Sequence, residues 1–237
     1  MSQLNFWDHA FALIVFLGYP LYSMLTIRSE IQDIQKRGER ARLSAYREII
    51  LTWMFFAICL IAIWVSFDRD WADLGFRLID AVPLSISIAI SIVFISILIV
   101  PLRNIARHPE RLEGLESQIG DFSVLMPRSR KEEYWFTGVS INAGLSEELI
   151  FRGYLIWYLA IFVPLYWAAG TAVVCFAFAH SYQGLKQMPG VLLVSAVVVS
   201  LFVYTGSLLI PVLFHALLDV LQGHYFAKMH RWQAISP

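Results

Sequence analysis

Six ionisable side chains stand out in the apolar second half of the sequence, because their types could carry out hydrolysis. They are Glu147, Glu148, Arg152, His180, His215 and Asp219. A charged side chain inside a membrane costs free energy, so ionisable residues in apolar spans usually have a function. Carboxylates and imidazoles can act as general bases or metal ligands, and an arginine can neutralise a buried carboxylate. The set therefore contains the parts of a hydrolytic site.

The first group lies in residues 144–153, Gly-Leu-Ser-Glu-Glu-Leu-Ile-Phe-Arg-Gly. Residues four apart face each other on an α-helix, so Glu148 and Arg152 are predicted to form an ion pair. Glu147 points about 100° away from Glu148 and has no partner on its own helix. We therefore predict that Glu147 is a general base. The alternative is that both glutamates pair with polar groups of other helices and only fix packing.

Two further segments supply histidines. His180 closes an apolar helix, and Phe176, four residues earlier, could pack against its ring. His215 and Asp219 are four apart on one helical face, where the carboxylate could hold the imidazole in one orientation. The alternatives are that His180 is a satisfied helix-end residue and that His215 and Asp219 form a polar pair joining helices.

The composition predicts an integral membrane protein. The 237 residues are 58% hydrophobic and 15% charged, with a mean hydropathy of +0.63. Each predicted span in the first half lacks Asp, Glu, Lys and Arg. Its length is close to that of a helix that crosses a bilayer, about 20 residues. These spans are residues 9–27, 49–67 and 81–102, and four more are predicted at 134–161, 165–183, 191–205 and 209–226. We predict an all-α, polytopic transmembrane helical bundle of about seven spans.

These spans predict one membrane domain, with three N-terminal helices and basic surface links in residues 1–133 and the catalytic core in residues 134–237. The limits of the predicted spans place Glu147 in mid-membrane, His180 near one side of the membrane and His215 near the other side. The three predicted depths therefore do not agree. In the link at 103–133, apolar side chains at helical spacing predict either a short surface helix or a solvated loop. The four apolar residues are Leu112, Leu115, Ile119 and Phe122.

The basic residues predict the orientation of the chain. Seven spans place fifteen Lys or Arg residues on one side and only Arg69 and Arg77 on the other. The positive-inside rule then predicts an external N-terminus and a cytoplasmic C-terminus, in a plasma (inner) membrane. The net charge is zero, so we predict no nucleic-acid partner, only the lipid bilayer and a substrate.

The three segments together resemble a known family. The patterns Glu-Glu-x-x-x-Arg, Phe-x-x-x-His and His-x-x-x-Asp on successive spans are similar to those of the CPBP family, which comprises CAAX proteases and bacteriocin-processing enzymes and is also called the Abi family. Residues 144–155 and 205–219 are close to the usual motif sequences of the family. The resemblance covers about residues 130–226.

The resemblance implies hydrolysis of a peptide bond of a membrane-associated protein or peptide. By this resemblance, Glu147 and His180 would activate a water molecule. Glu148 and Arg152 would support the helix and the charge of Glu147. The core at 134–237 would then be the catalytic part of the chain.

The resemblance also implies that His215 and the residue at position 219 stabilise the oxyanion of the tetrahedral intermediate. Many relatives have Asn at that position. Asp219 can donate a hydrogen bond only when it is protonated, which weakens a direct role in binding the oxyanion. The alternative role for Asp219 is to orient His215, so that the imidazole is the donor.

Zinc is a possible cofactor, because members of the family are often labelled as metalloproteases. Glu147, His180, His215 and Asp219 could form a four-ligand zinc set. The sequence has no His-Glu-x-x-His motif, and a glutamate–histidine pair can activate water without a metal. We therefore favour metal-free, glutamate-dependent hydrolysis, with a zinc metalloprotease as the alternative.

Two other classes of protein could carry the same residues. A proton-coupled transporter could use the buried carboxylates and histidines as a relay, although such proteins often have internal repeats, which this sequence lacks. A catalytically silent scaffold of the same family could use them only for structure.

Overall fold

The computed structural model describes residues 4–108 and 111–233, and the regular elements within these ranges are all helical. The α-helices are α1 (Phe6–Leu13), α2 (Tyr19–Arg37), α3 (Glu39–Ser66), α4 (Ala81–Ile105), α5 (Leu112–Ile119), α6 (Arg130–Glu147), α7 (Ile156–Ala160), α8 (Leu165–Ala179), α9 (Met188–Thr205) and α10 (Leu209–Gln233). Short 3-10 turns occur at Trp71–Leu74, Gly120–Leu125 and Ser181–Gln183. This architecture confirms the predicted all-α helical bundle.

Helix length and composition separate the membrane spans into two groups. Five helical stretches in the described ranges are long and apolar enough to cross a membrane: Phe6–Arg37, Glu39–Ser66, Ala81–Ile105, Met188–Thr205 and Leu209–Gln233. The remaining two predicted spans correspond to the charged stretch 130–160 and to α8, which is apolar but has only 15 residues. The protein is therefore an integral membrane protein in which five of the seven predicted spans are long and apolar enough to cross the bilayer.

The basic segments lie together at one end of the bundle. Arg42, before the second span, forms a buried ion pair with Glu132, which precedes the fourth span, at 2.8 Å. Arg231, near the C-terminus, pairs with Glu133 at 2.6 Å. Tyr182, close to the one lysine between α8 and α9, contacts an aromatic ring of the link before α6. The structure thus gathers at one end the segments that the sequence assigned to one side of the membrane.

Much of the length of the links between spans is helical. The charged segment at 28–48 continues α2 and begins α3, and it is broken only at Gly38, whose φ of +60° favours glycine. Within 103–133, helix α5 confirms the short helix. Leu115, Ile119 and Phe122 pack against buried apolar residues of the bundle, so this link is not a solvated loop.

Close packing of α6 on α10 brings the two halves of the candidate site together. A Cβ atom at Gly144 would lie 2.8 Å from the Cβ of Ala216 and 3.0 Å from the carbonyl oxygen of Val212. Only glycine allows the two backbones to approach so closely. Helix α6 also packs against α3, and α8 packs against α9.

The prediction of a regular α-helix through the Glu-Glu segment is wrong. Residues Glu148–Leu155 form a π-helix between α6 and α7, and all eight are buried. A second π-helix, Ile14–Gly18, joins α1 to α2. Such segments insert an extra residue into a turn and often occur at functional sites. We call Glu148–Leu155 the site π segment.

Candidate active site

Glu147 and His180 face each other inside the bundle. Oε2 of Glu147 lies 3.6 Å from Nε2 of His180, and their side chains are 7% and 13% exposed. This distance is too long for a good hydrogen bond. The same Glu147 oxygen is buried and has no hydrogen-bond partner among the described residues. A water molecule hydrogen-bonded to both groups would satisfy it.

The ring of His180 is held on its other side by Phe176. His180 caps the C-terminus of α8, and its Nδ1 lies 2.8 Å from the carbonyl oxygen of Phe176. The two rings stack with a centroid separation of 4.2 Å, as the sequence suggested. Because a carbonyl oxygen only accepts hydrogen bonds, Nδ1 carries the proton. In the neutral ring, Nε2 is then the acceptor that faces Glu147.

Glu148 joins Arg152 to His215 through a single oxygen. Its Oε1 accepts a hydrogen bond from Nη1 of Arg152 at 2.9 Å, which confirms the predicted ion pair. The same oxygen lies 2.7 Å from Nδ1 of His215. The second contact was not predicted, because the family resemblance implied only that Glu148 supports Glu147. Glu148 and Arg152 are fully buried, and their opposite charges compensate each other.

His215 also contacts Asp219, as its spacing on α10 predicted. Nε2 of His215 lies 3.5 Å from Oδ2 of Asp219, whose side chain is 33% exposed. His215 therefore stands between two carboxylates, one on each ring nitrogen. Asp219 is the most exposed of the six candidate residues, and Glu148 is the least.

The six predicted residues come from four parts of the fold and meet at one place. The ring of Phe176 contacts both imidazoles, with centroids 4.2 Å from His180 and 6.1 Å from His215. It also lies 4.2 Å from the guanidinium carbon of Arg152. Phe176 is thus a shared packing surface for three ionisable side chains of the site.

Ser195 of α9 is a site neighbour that sequence reasoning missed. Its hydroxyl accepts a hydrogen bond from Nη2 of Arg152 at 3.2 Å, and its side chain is fully buried. The one signal in the sequence is a serine that interrupts an apolar run. Nothing local links it to Arg152, because the two residues are 43 positions apart.

The four proposed zinc ligands form two pairs in this arrangement, Glu147 with His180 and His215 with Asp219. Within the described ranges, no three His, Cys, Asp or Glu side chains are grouped so that they could hold one ion. His215 uses Nδ1 to bind Glu148, and its Nε2 faces Asp219. His180 and Glu147 form a separate pair.

Comparison with known proteins identifies the same part of the chain. Residues 130–221 match a family model described as Rce1-like, type II CAAX prenyl endopeptidase Rce1-like. This range starts at the first residue of α6 and includes all six candidate residues. No curated protein and no solved structure matches the chain. The match confirms the family resemblance that the three segments predicted.

Proposed function

We propose that the protein is an intramembrane endopeptidase of the CAAX-protease (CPBP) family, because residues 130–221 match a model of that family. It hydrolyses a peptide bond of a membrane-associated protein or peptide. The observation that carries this proposal is the buried Glu147–His180 pair, whose facing atoms are 3.6 Å apart. A carboxylate and an imidazole at that distance can both bind one water molecule and take its proton.

The first step is the activation of water. The water donates one hydrogen bond to the Glu147 carboxylate and the other to Nε2 of His180. Glu147 removes a proton as the water oxygen attacks the carbonyl carbon of the substrate. The new carbon–oxygen bond forms as the carbonyl π bond opens, so negative charge develops on the carbonyl oxygen.

His215 is the proposed donor to that oxyanion. Nδ1 donates to Glu148, so Nε2 must also carry a proton to donate. The buried carboxylate of Glu148 lies against the ring and stabilises this imidazolium. A charged donor in a largely buried site stabilises an oxyanion strongly. Asp219 orients the ring, which is the alternative role considered for it from the sequence.

The second step breaks the peptide bond. As the carbonyl re-forms, the carbon–nitrogen bond breaks and its electron pair stays on nitrogen. The proton held by Glu147 passes to that nitrogen, so the products are a new carboxyl terminus and a new amine. Glu147 returns to the carboxylate form, and every proton in the cycle comes from water. We propose that no metal ion takes part.

The proposed setting is the plasma (inner) membrane, with the N-terminus outside and the C-terminus in the cytoplasm. The clustering of basic segments at one end of the bundle supports one consistent orientation. Hydrolysis also needs water within the bilayer, and a polar cavity among helices can supply it.

Comparative proteomics of membrane and secreted fractions tests the proposed function. A strain carrying Glu147→Gln is compared with wild type, and Glu48→Gln, an exposed glutamate on α3, is the matched control. We expect membrane-associated proteins to keep their full length only in the Glu147→Gln strain. Identical peptide termini in all three strains would exclude the protease and leave the silent scaffold. Lost ion or solute flux without a change in peptide length would favour the transporter.

A further inference from the structure

We propose that the N-terminal stretch, residues 6–18, holds the site π segment in its π-helical form and thereby orients Glu147. This inference rests on the proposed function. It makes Asp8 and Tyr154 positioning residues, although neither touches the reacting atoms. Asp8 lies outside the range 130–221 that matches the family model, so this contribution belongs to the first part of the chain.

The register of the site helix changes between Glu147 and Tyr154. These two residues are seven apart, and in a continuous α-helix such residues lie on one face. In the structure, Glu147 faces His180 at the end of α8, whereas the hydroxyl of Tyr154 donates to the carbonyl oxygen of Asp8 at 2.9 Å. One inserted residue turns the rest of the helix by about 100°, which lets the two residues reach different partners.

A buried ion pair fixes the acceptor of that hydrogen bond. Arg69 donates from Nη1 and Nη2 to the two carboxylate oxygens of Asp8, at 2.7 and 2.6 Å. The side chains of Asp8 and Arg69 are 0% and 3% exposed. The backbone nitrogen of Asn5 also donates to Asp8, at 2.9 Å, and so closes the first turn of α1. The Asp8 carbonyl that Tyr154 binds is therefore held rigidly.

A chain of aromatic contacts leads from the same stretch to the general-base pair. Phe16 packs edge-on against Phe151 of the site π segment, with ring centroids 5.3 Å apart. Phe151 packs in the same way on Phe176, at 5.1 Å, and Phe176 stacks on His180. Phe151 is fully buried, so a shift of residues 6–18 would be transmitted to both members of the Glu147–His180 pair.

The test uses two small changes and two matched controls in the purified full-length protein. Tyr154→Phe removes one hydroxyl and keeps the ring, and Asp8→Asn weakens the ion pair. The controls are Tyr166→Phe, on a tyrosine that is 82% exposed, and Asp33→Asn, in an exposed ion pair of α2. Hydrogen–deuterium exchange of residues 148–155 reports the conformation of the π segment. Cleavage of a quenched fluorescent peptide with a farnesylated CAAX end reports kcat and KM.

We expect faster exchange at 148–155 in Tyr154→Phe and Asp8→Asn, and no change in the controls. We also expect kcat to fall by roughly tenfold with little change in KM, a smaller loss than the about 10²-fold that a 1 Å misplacement of catalytic groups can cause. Unchanged exchange in Tyr154→Phe would overturn the proposal, as would an unchanged kcat in a protein that cleaves the probe. If Asp8→Asn does not fold, Tyr154→Phe alone decides. If wild type cleaves nothing, the proposed function fails for this probe, and exchange still decides the positioning.

Discussion

The carboxylate of Glu148 binds Nδ1 of His215 at 2.7 Å, although the two residues are 67 positions apart. The contact is buried, and Arg152 donates to the same carboxylate oxygen at 2.9 Å. In the proposed reaction, this carboxylate fixes the ring that donates to the oxyanion. Glu148 is then linked to His215 more directly than to Glu147.

Replacing Glu148 with glutamine removes the charge of the side chain and keeps its shape. We expect Glu148→Gln to lower kcat by roughly 10²-fold, as for the loss of an oxyanion donor, because the neutral amide no longer stabilises a charged His215. The measurement is the rate of cleavage by the variant purified in detergent, with Glu39→Gln, an exposed glutamate, as control. If Glu148→Gln cleaves as fast as wild type, the charge of Glu148 is not needed for His215 to act.

Substitutions of Asp219 test whether its hydrogen-bonding capacity or its negative charge is needed. Asp219→Asn keeps an oxygen that can accept from Nε2 of His215 and adds N–H donors, so we expect it to retain activity close to that of wild type. Asp219→Ala removes both and should lower kcat by about 10²-fold. Cleavage rates of the two variants measured side by side check this. A loss in Asp219→Asn as large as in Asp219→Ala would show that the negative charge itself is required.

The contact between α6 and α10 should control both stability and activity. Gly144→Val would push its side chain against Ala216 and should destabilise the fold by about 1–3 kcal/mol. It should also lower kcat by moving Glu148 away from His215. Thermal unfolding and cleavage are measured together, with Gly170→Val in α8 as control because a Cβ there meets nothing within 4 Å. Equal effects of the two substitutions would show that the close approach at Gly144 is not needed.

The sequence was sufficient to predict the elements of the candidate site but not how they meet. The pairs Glu148–Arg152 and His215–Asp219 could be predicted because both lie four residues apart on one helix. The depth of His180 could not, because it depends on α8, whose 15 residues are only about 22 Å long against about 30 Å of hydrocarbon. His180 therefore ends inside the bundle and reaches Glu147.

Long-range contacts and local helix type explain the other differences. The pairing of Glu148 with His215 and that of Asp8 with Arg69 join residues more than 60 positions apart, and no spacing rule predicts them. The site π segment has the same apolar pattern as an α-helix, so the sequence does not distinguish the two forms. Its conformation depends on packing from other helices, which appears only in the assembled fold.

Removal of metal ions tests the proposed metal-free chemistry. Because the mechanism uses Glu147 and His180 alone to activate water, we expect full activity after dialysis against EDTA and 1,10-phenanthroline. Elemental analysis of the purified protein should show no stoichiometric zinc. Activity that disappears on chelation and returns with added zinc would contradict the proposal and favour the zinc alternative.

The decisive test asks whether the protein adds an oxygen atom of water to a peptide carbonyl in a reaction that needs Glu147. Membranes from the Glu147→Gln strain provide the uncleaved proteins, and purified wild-type or Glu147→Gln protein in liposomes is added in water enriched in heavy oxygen. We predict that wild type alone generates new C-terminal carboxylates, each carrying one heavy oxygen atom by mass spectrometry. New termini generated equally by the Glu147→Gln protein, or by neither protein, would contradict the proposed role of Glu147.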